Sequence, residues 1–159
     1  MAVVSQSELI LQRGEWKRNG KRVVCVVGVF DLLHPGHIRL LEQARASGDI
    51  LVVGVQNDAR AREEKGPSRP VTPAAERAEI LDALAAVDFA VILNDERPDE
   101  FLTRLAPDAV VQGRDTGSSK HAAEEISAAQ AAGVKVIQIP PEPGHSTSRL
   151  VERIKQLRA

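Results

Sequence analysis

The 159-residue sequence lacks nearly everything that would commit it to a membrane, a disulfide scaffold or a polyanion. Its single cysteine, Cys25, excludes an internal disulfide and any cysteine-based zinc site, which suits a reducing compartment. The apolar runs fall well short of the roughly 20 residues that a membrane span needs. The opening MAVVSQSELILQRGEW has no basic segment followed by a long apolar one, so no signal peptide is expected. A formal charge of −1 provides no global field to recruit nucleic acid or an anionic membrane, and neither is expected as a partner. An anionic ligand would have to be held by a few local groups. There is no internal repeat and no low-complexity segment, and the G-x-G-x-x-G and G-x-x-x-x-G-K-[ST] phosphate signatures are both missing. The expectation is a cytoplasmic protein.

The composition present, 43% hydrophobic and 27% charged, is that of a globular chain long enough for one domain with a sizeable core. Five short, β-branched, nearly continuous apolar segments punctuate it: RVVCVVGV (22–29), DILVVGVQ (49–56), VDFAVIL (87–93), DAVVQ (108–112) and VKVIQI (134–139). Strands buried on both faces of a parallel sheet read this way. Helical patterns fill the intervals: GHIRLLEQARAS, PAAERAEILDALAA, PDEFLTRLA, SKHAAEEISAAQAAG and TSRLVERIKQLRA. Pro73 behind Thr72 reads as a first helical residue after an N-cap, and Gly48 and Gly133 sit where C-caps belong. The alternation predicts right-handed βαβ units: an α/β, Rossmann-like open parallel sheet of five strands, helices on both faces, in a single domain. Residues 1–20 read as a polar, irregular N-terminal extension anchored by Trp16, and residues 21–159 as the domain proper. Cys25 reads as a small buried hydrophobe.

Ligands of such sheets bind beyond the carboxyl ends of the strands. Those ends carry Phe30, Asp31, His34 and His37 after the first strand, and Asn57, Asp58 and the loop ARAREEKGPSRPV after the second. After the fourth comes GRDTGSSK (113–120), and after the fifth PPEPGHSTS (140–148). The most informative of these stretches is HPGH, residues 34–37. Pro35 and Gly36 make a tight turn, with Gly36 leaving room for a ligand to approach the backbone. A helix beginning near Gly36–His37 then aims unpaired N–H groups and a positive dipole end into the crevice. Two imidazoles a turn apart can donate to phosphate oxygens and, if protonated, neutralise charge that develops in a transition state. No carboxylate or thiol stands near them at metal-ligand spacing, so zinc is not expected.

Four stretches, GVFDLLHPGH, EKGPSRPV, ERAEILDAL and GHSTSRLV, resemble in content and order the motifs of the H-x-G-H nucleotidyltransferases, from about Lys21 to the C-terminus. Within that superfamily the chain looks most like the bacterial D-glycero-β-D-manno-heptose 1-phosphate adenylyltransferases, through KGPSRPVTP, LAAVDFAV and PDAVVQGRD. The glycerol-3-phosphate cytidylyltransferases come next, although their arginine ahead of GIST falls at Pro141 here. The resemblance implies in-line attack by a sugar phosphate oxygen on the α-phosphate of a nucleoside triphosphate, ATP for the heptose branch, with pyrophosphate leaving. It implies His34, His37 and Lys65 as catalytic residues. Val29, Phe30, Asp31, Gly36, Arg77, Gly113, Arg114, Ser146, Thr147 and Ser148 would bind the nucleotide, and Asp58, Arg69, Arg114 and Asp115 the acceptor. Lys65 and Arg69 would close over phosphates from a mobile loop spanning about 59–71. Mg²⁺ is the implied cofactor, with Asp31 as the candidate ligand, and a homodimer the implied assembly.

Some positions depart from the family pattern. Val29 stands where relatives often carry a hydroxyl or a cysteine, Asn57 stands for a serine, and Gln112 and Arg114 replace a lysine and a glycine of KGGD. These changes leave open a CTP-dependent enzyme acting on glycerol 3-phosphate or a similar small phosphorylated alcohol. Two other classes compete. A relic of a class I aminoacyl-tRNA synthetase would share H-x-G-H, but the short length, the acidic balance and the absence of a K-M-S-K-S-like loop argue against it. A non-catalytic nucleotide sensor would not be expected to keep both histidines, Lys65 and the serine-threonine run. His121 and His145 read as loop decoration.

Overall fold

The computed structural model describes residues 3–94, 97–113 and 120–158. The β-branched runs form five strands: β1 (Val23–Gly28), β2 (Ile50–Gln56), β3 (Phe89–Leu93), β4 (Ala109–Gly113) and β5 (Lys135–Ile139). All pair in parallel, in the order β3-β2-β1-β4-β5. Between and around them lie α1 (Gln6–Arg18), α2 (Pro35–Ala46), α3 (Asp58–Lys65), α4 (Ala74–Asp82), α5 (Pro98–Leu105), α6 (Lys120–Ala131) and α7 (Thr147–Gln156). This is the single-domain Rossmann-like α/β sheet that the alternation predicts. Successive strand residues point to opposite faces, so each apolar run feeds two cores. On one face Leu41 and Ala44 of α2 and Ala78 and Leu81 of α4 pack on Val24, Val26, Val53 and Val55. On the other, Leu9 of α1, Phe101, Leu102 and Leu105 of α5 and Ala129 of α6 pack on Cys25, Val52, Val91 and Val110. Cys25 is fully buried there, and burial pushes its thiol well up. The strand order reverses between β1 and β4, which opens a crevice at their carboxyl ends.

Three local expectations need correction. Residues 6–18 are not irregular. They form a helix closed by a capping box, in which Ser5 and Glu8 satisfy each other's backbone N–H groups. Its Leu9 is fully buried, and the Trp16 ring packs tilted against Phe89 with centroids 4.9 Å apart, which makes it the expected anchor. Arg13, also buried, donates to the carbonyls of Leu105 and Ala106 and to Asp108, placing a cation at the C-terminus of α5. Second, the stretch read as a mobile loop over 59–71 is helical through Lys65, with Asn57 as N-cap accepting from the Arg60 N–H at 2.8 Å. Third, Pro73 is itself the cap position of α4 and Ala74 its first residue; Thr72 makes no side-chain cap. Among the described residues, no helix is long and apolar enough to cross a membrane.

Candidate active site

The turn after β1 is built around close approaches that only glycine allows. Phe30 adopts a left-handed backbone, φ 52°, and its ring lies so near Gly28 that a Cβ there would meet it at 2.9 Å. His34 is the N-cap of α2, its Nδ1 accepting from the Gly36 N–H at 3.1 Å. A Cβ on Gly36 would strike the same imidazole at 2.9 Å. Gly36 therefore makes room for the His34 ring rather than for a ligand, and its N–H is already used. Because Nδ1 accepts, the neutral His34 ring carries its proton on Nε2, the nitrogen left free to donate outward. The His37 ring lies tilted by 31° against His34 with centroids 3.9 Å apart and leans on Phe30 at 5.5 Å. Burial, helped by the nearby charges of His34 and Lys65, lowers His37 to about 4. Burial and His145 lower His34 as well. The Nδ1 of His37 is buried with no partner among the described residues.

Beside this pair a strap, residues 69–72, is pinned by Asp31. That carboxylate accepts from Arg69 Nε at 2.5 Å and from the backbone N–H groups of Val71 and Thr72 at about 2.9 Å. These bonds outweigh its burial and hold Asp31 below the usual carboxylate range. Asp31 is thus spent on the chain itself. Among the described residues no group of three histidine, cysteine or acidic side chains could hold a metal ion. Arg69 is paired with Asp31 through its Nε. Arg77 is the larger correction. Its side chain is wholly buried and donates to the carbonyls of Thr72, Val29 and Gln56 and to Asp58. It joins the ends of β1 and β2 to the strap, and all of its observed hydrogen bonds are to the chain itself. Asp58 in turn accepts from the Ala74 N–H at 2.9 Å, which starts α4, and so serves the scaffold more than an acceptor. Val29 is buried and contributes its carbonyl to Arg77.

The last motif arrives from the far side of the sheet. Ser146 caps α7, accepting from the Arg149 N–H at 3.1 Å, and Thr147 Oγ1 donates to the Leu32 carbonyl at 3.1 Å. Ser148 is exposed in the first turn. An ion pair between Arg39 of α2 and Glu142 fastens the same loop to the start of α2. The N-termini of α2 and α7 therefore face one crevice, with His34 and His37 between them. Lys65, at the end of α3, lies close enough to His37 to influence it electrostatically. Gly113 ends β4 with open space where a Cβ would be. Arg114 and Asp115 lie outside the described residues. Sequence reasoning missed two features. The His145 ring, read as decoration, lies nearly parallel to His34 at 6.3 Å. Gln112 and Glu125 are buried, and Oε1 of each lacks a partner among the described residues. Burial, with some help from Glu64, pushes the Glu125 carboxyl up to about 8.

Comparison with known proteins agrees with this geometry. The cytidylyltransferase-like family model matches residues 25–153, most of the chain. Proteins named bifunctional protein HldE are 43% identical in Rhodopseudomonas palustris (strain HaA2) and 45% in Koribacter versatilis (strain Ellin345), each over 152 residues. Those matches take in 96% and 95% of this chain but 31% of each relative, so the chain spans about a third of their length. Among solved structures, the lipopolysaccharide core biosynthesis protein of Thermoplasma volcanium GSS1 superposes with a TM-score of 0.63 at 29% identity, over 77% of this chain and 98% of that one. Pantothenate synthetase from Thermus thermophilus shares the fold, with a TM-score of 0.56 at 19% identity over 88% of this chain and 62% of that one. The two histidines at the head of α2, the open parallel sheet and the match over residues 25–153 lead to one conclusion: the chain belongs to the cytidylyltransferase-like family and carries a nucleotidyltransferase domain.

Proposed function

We propose that this domain transfers the adenylyl group of ATP to a sugar 1-phosphate of the heptose type and releases pyrophosphate. The observation that carries the reading is the close His34–His37 ring pair at the N-terminus of α2, facing the N-terminus of α7 across the crevice. In this reading an acceptor phosphate oxygen forms a bond to the α-phosphorus as the α–β bridging oxygen departs with pyrophosphate. No covalent enzyme intermediate is required, so the side chains position reactants and stabilise charge. His34 Nε2–H and the His37 ring donate to oxygens of the triphosphate, and Lys65 approaches the same phosphates from the end of α3. The α7 N-terminus, with Ser146, Thr147 and Ser148, receives the leaving phosphates. Mg²⁺ enters as the counter-ion of the triphosphate substrate, because Asp31 is occupied by the strap.

The sugar half of the reading draws on the resemblance of KGPSRPVTP and PDAVVQGRD to the heptose branch, and on the lipopolysaccharide core name of the structural neighbour. We place the activity in the cytoplasm and the assembly as a homodimer on the same resemblance. The test is a grid of ATP, CTP, GTP and UTP against heptose 1-phosphate, glycerol 3-phosphate and other phosphorylated acceptors with Mg²⁺, reading pyrophosphate. Turnover with ATP and the heptose phosphate is expected to exceed the other pairs. CTP supporting turnover at least about tenfold better than ATP across acceptors, a 1.4 kcal/mol preference, would replace this reading with a cytidylyltransferase.

A further inference from the structure

We propose that His145 is a third phosphate-binding imidazole, and that the row His37–His34–His145 takes up a proton when a nucleoside triphosphate binds. The inference rests on the nucleotide-binding reading above and adds a residue and a linkage to it. His145 immediately precedes Ser146, the N-cap of α7, while its ring lies over His34, the N-cap of α2. It is therefore the side chain that spans the two helix N-termini, where positive dipole ends converge. Its position is held from several sides. Its own N–H donates to the Glu142 carbonyl at 3.3 Å, Glu142 is paired to Arg39, and Thr147 ties the other flank to Leu32. The ring is nevertheless exposed rather than packed in the core, so a role in stability does not account for the alignment.

His34 lies between two other imidazoles, at centroid spacings of 3.9 Å and 6.3 Å, and charge on its neighbours disfavours charge on its own ring. The groups facing them act in the same direction. Lys65 bears on His37 from α3, Phe30 covers the ring from the β1 turn, and Glu142, which packs beside Gly36 at the start of α2, is paired with Arg39. Burial first, and these neighbouring charges after it, lower His37 to about 4 and His34 below its ordinary value in the free protein. A triphosphate brings opposite charge to the same rings, which favours their protonated forms. The bound-state value then exceeds the free one. Affinity rises as pH falls through the bound value and levels off below about 4, where His37 is already charged in the free protein. Each unit of separation between the two values corresponds to about tenfold in affinity.

The test is calorimetric titration of the intact chain with α,β-methylene-ATP and Mg²⁺ near neutral pH, in buffers of different ionisation enthalpy, so that protons exchanged are counted directly. The wild type is expected to take up a substantial fraction of a proton. His145→Gln is expected to weaken binding about three- to tenfold, the size of one lost phosphate contact, and to change the proton count. His145→Arg, which keeps a donor with a permanent charge, should restore affinity without restoring uptake. A His145→Gln variant with wild-type affinity and proton uptake overturns the inference while leaving the nucleotide reading intact. Absence of uptake in the wild type, with binding present, overturns the linkage. Failure of the wild type to bind any nucleotide overturns the proposed function and this inference with it.

Discussion

Replacing Arg77 by leucine separates a positioning residue from a ligand contact. The guanidinium is wholly buried and supplies hydrogen bonds to three main-chain carbonyls, those of Thr72, Val29 and Gln56, and to Asp58, whose side chain is 42% exposed. Leucine fills most of the stem volume but leaves the carbonyls without donors. Each stranded buried acceptor costs about 1–3 kcal/mol, while Asp58 can turn to water and adds little. Relief of the guanidinium's own desolvation offsets part of this, which gives a net loss of roughly 3–5 kcal/mol, as for other broken buried pairs. Such a loss is a large share of the ~5–15 kcal/mol that holds a domain folded, and lowers Tm by roughly 10 °C. The assay is urea unfolding followed by Trp16 fluorescence and far-UV circular dichroism, with Arg77→Lys as companion. Lysine keeps the charge but cannot reach four acceptors with one ammonium, so it should also lose stability. An Arg77→Leu protein within about 1 kcal/mol of wild type that has lost nucleotide affinity would show that the guanidinium serves the ligand, and the positioning argument would be wrong.

His34→Ala and His37→Ala should each lower turnover on the order of 10²–10³-fold while changing nucleotide Kd much less, because donors aimed at a reacting phosphate gain most in the transition state. A drop under tenfold in both, by pyrophosphate release, would remove them from the chemistry. Glu125 retains its proton in the folded protein up to about pH 8, against 4.5 ordinarily, so the native state binds more protons between those values and stability falls as pH rises through that window. Glu125→Gln should flatten that decline and add on the order of 2 kcal/mol near neutral pH, and parallel pH profiles of the urea midpoint for the two proteins would refute it. Leu9→Ala empties a fully buried site beneath α1 and should cost about 2–5 kcal/mol, with an early shift of Trp16 emission if α1 lifts before the sheet melts. Emission that changes only with the global transition would mean that α1 is part of one cooperative unit.

How much of the site was legible follows from how local each feature is. Ser5-x-x-Glu8, a capping-box pattern, was present to be read and would have turned the expected irregular extension into a helix. Asn57 followed by Asp58 likewise marks the start of α3, which the run of charged residues made look like a loop. The roles of Asp31, Arg69 and Arg77 were of another kind. Each is a charged residue in a motif beside the ligand edge, and nothing along the chain says whether its charge meets a phosphate or another part of the protein.

The sequence by itself determined the alternation of β-branched runs and amphipathic segments, hence a parallel sheet with a ligand edge, and it placed His34 and His37 at the head of a helix. Those properties depend on residue type, spacing and one local turn. Only the tertiary structure decided which charges were already satisfied. Asp31 and Arg69 meet across 38 positions, Arg77 and Val29 across 48, and Thr147 and Leu32 across 115. It also laid the His145 ring over His34, because the strand order β3-β2-β1-β4-β5 carries the end of β5 to the same edge as the end of β1. A charge at a sheet edge is free for a ligand only if the fold has not already supplied its partner, and that partner comes from chain crossings that local periodicity does not encode.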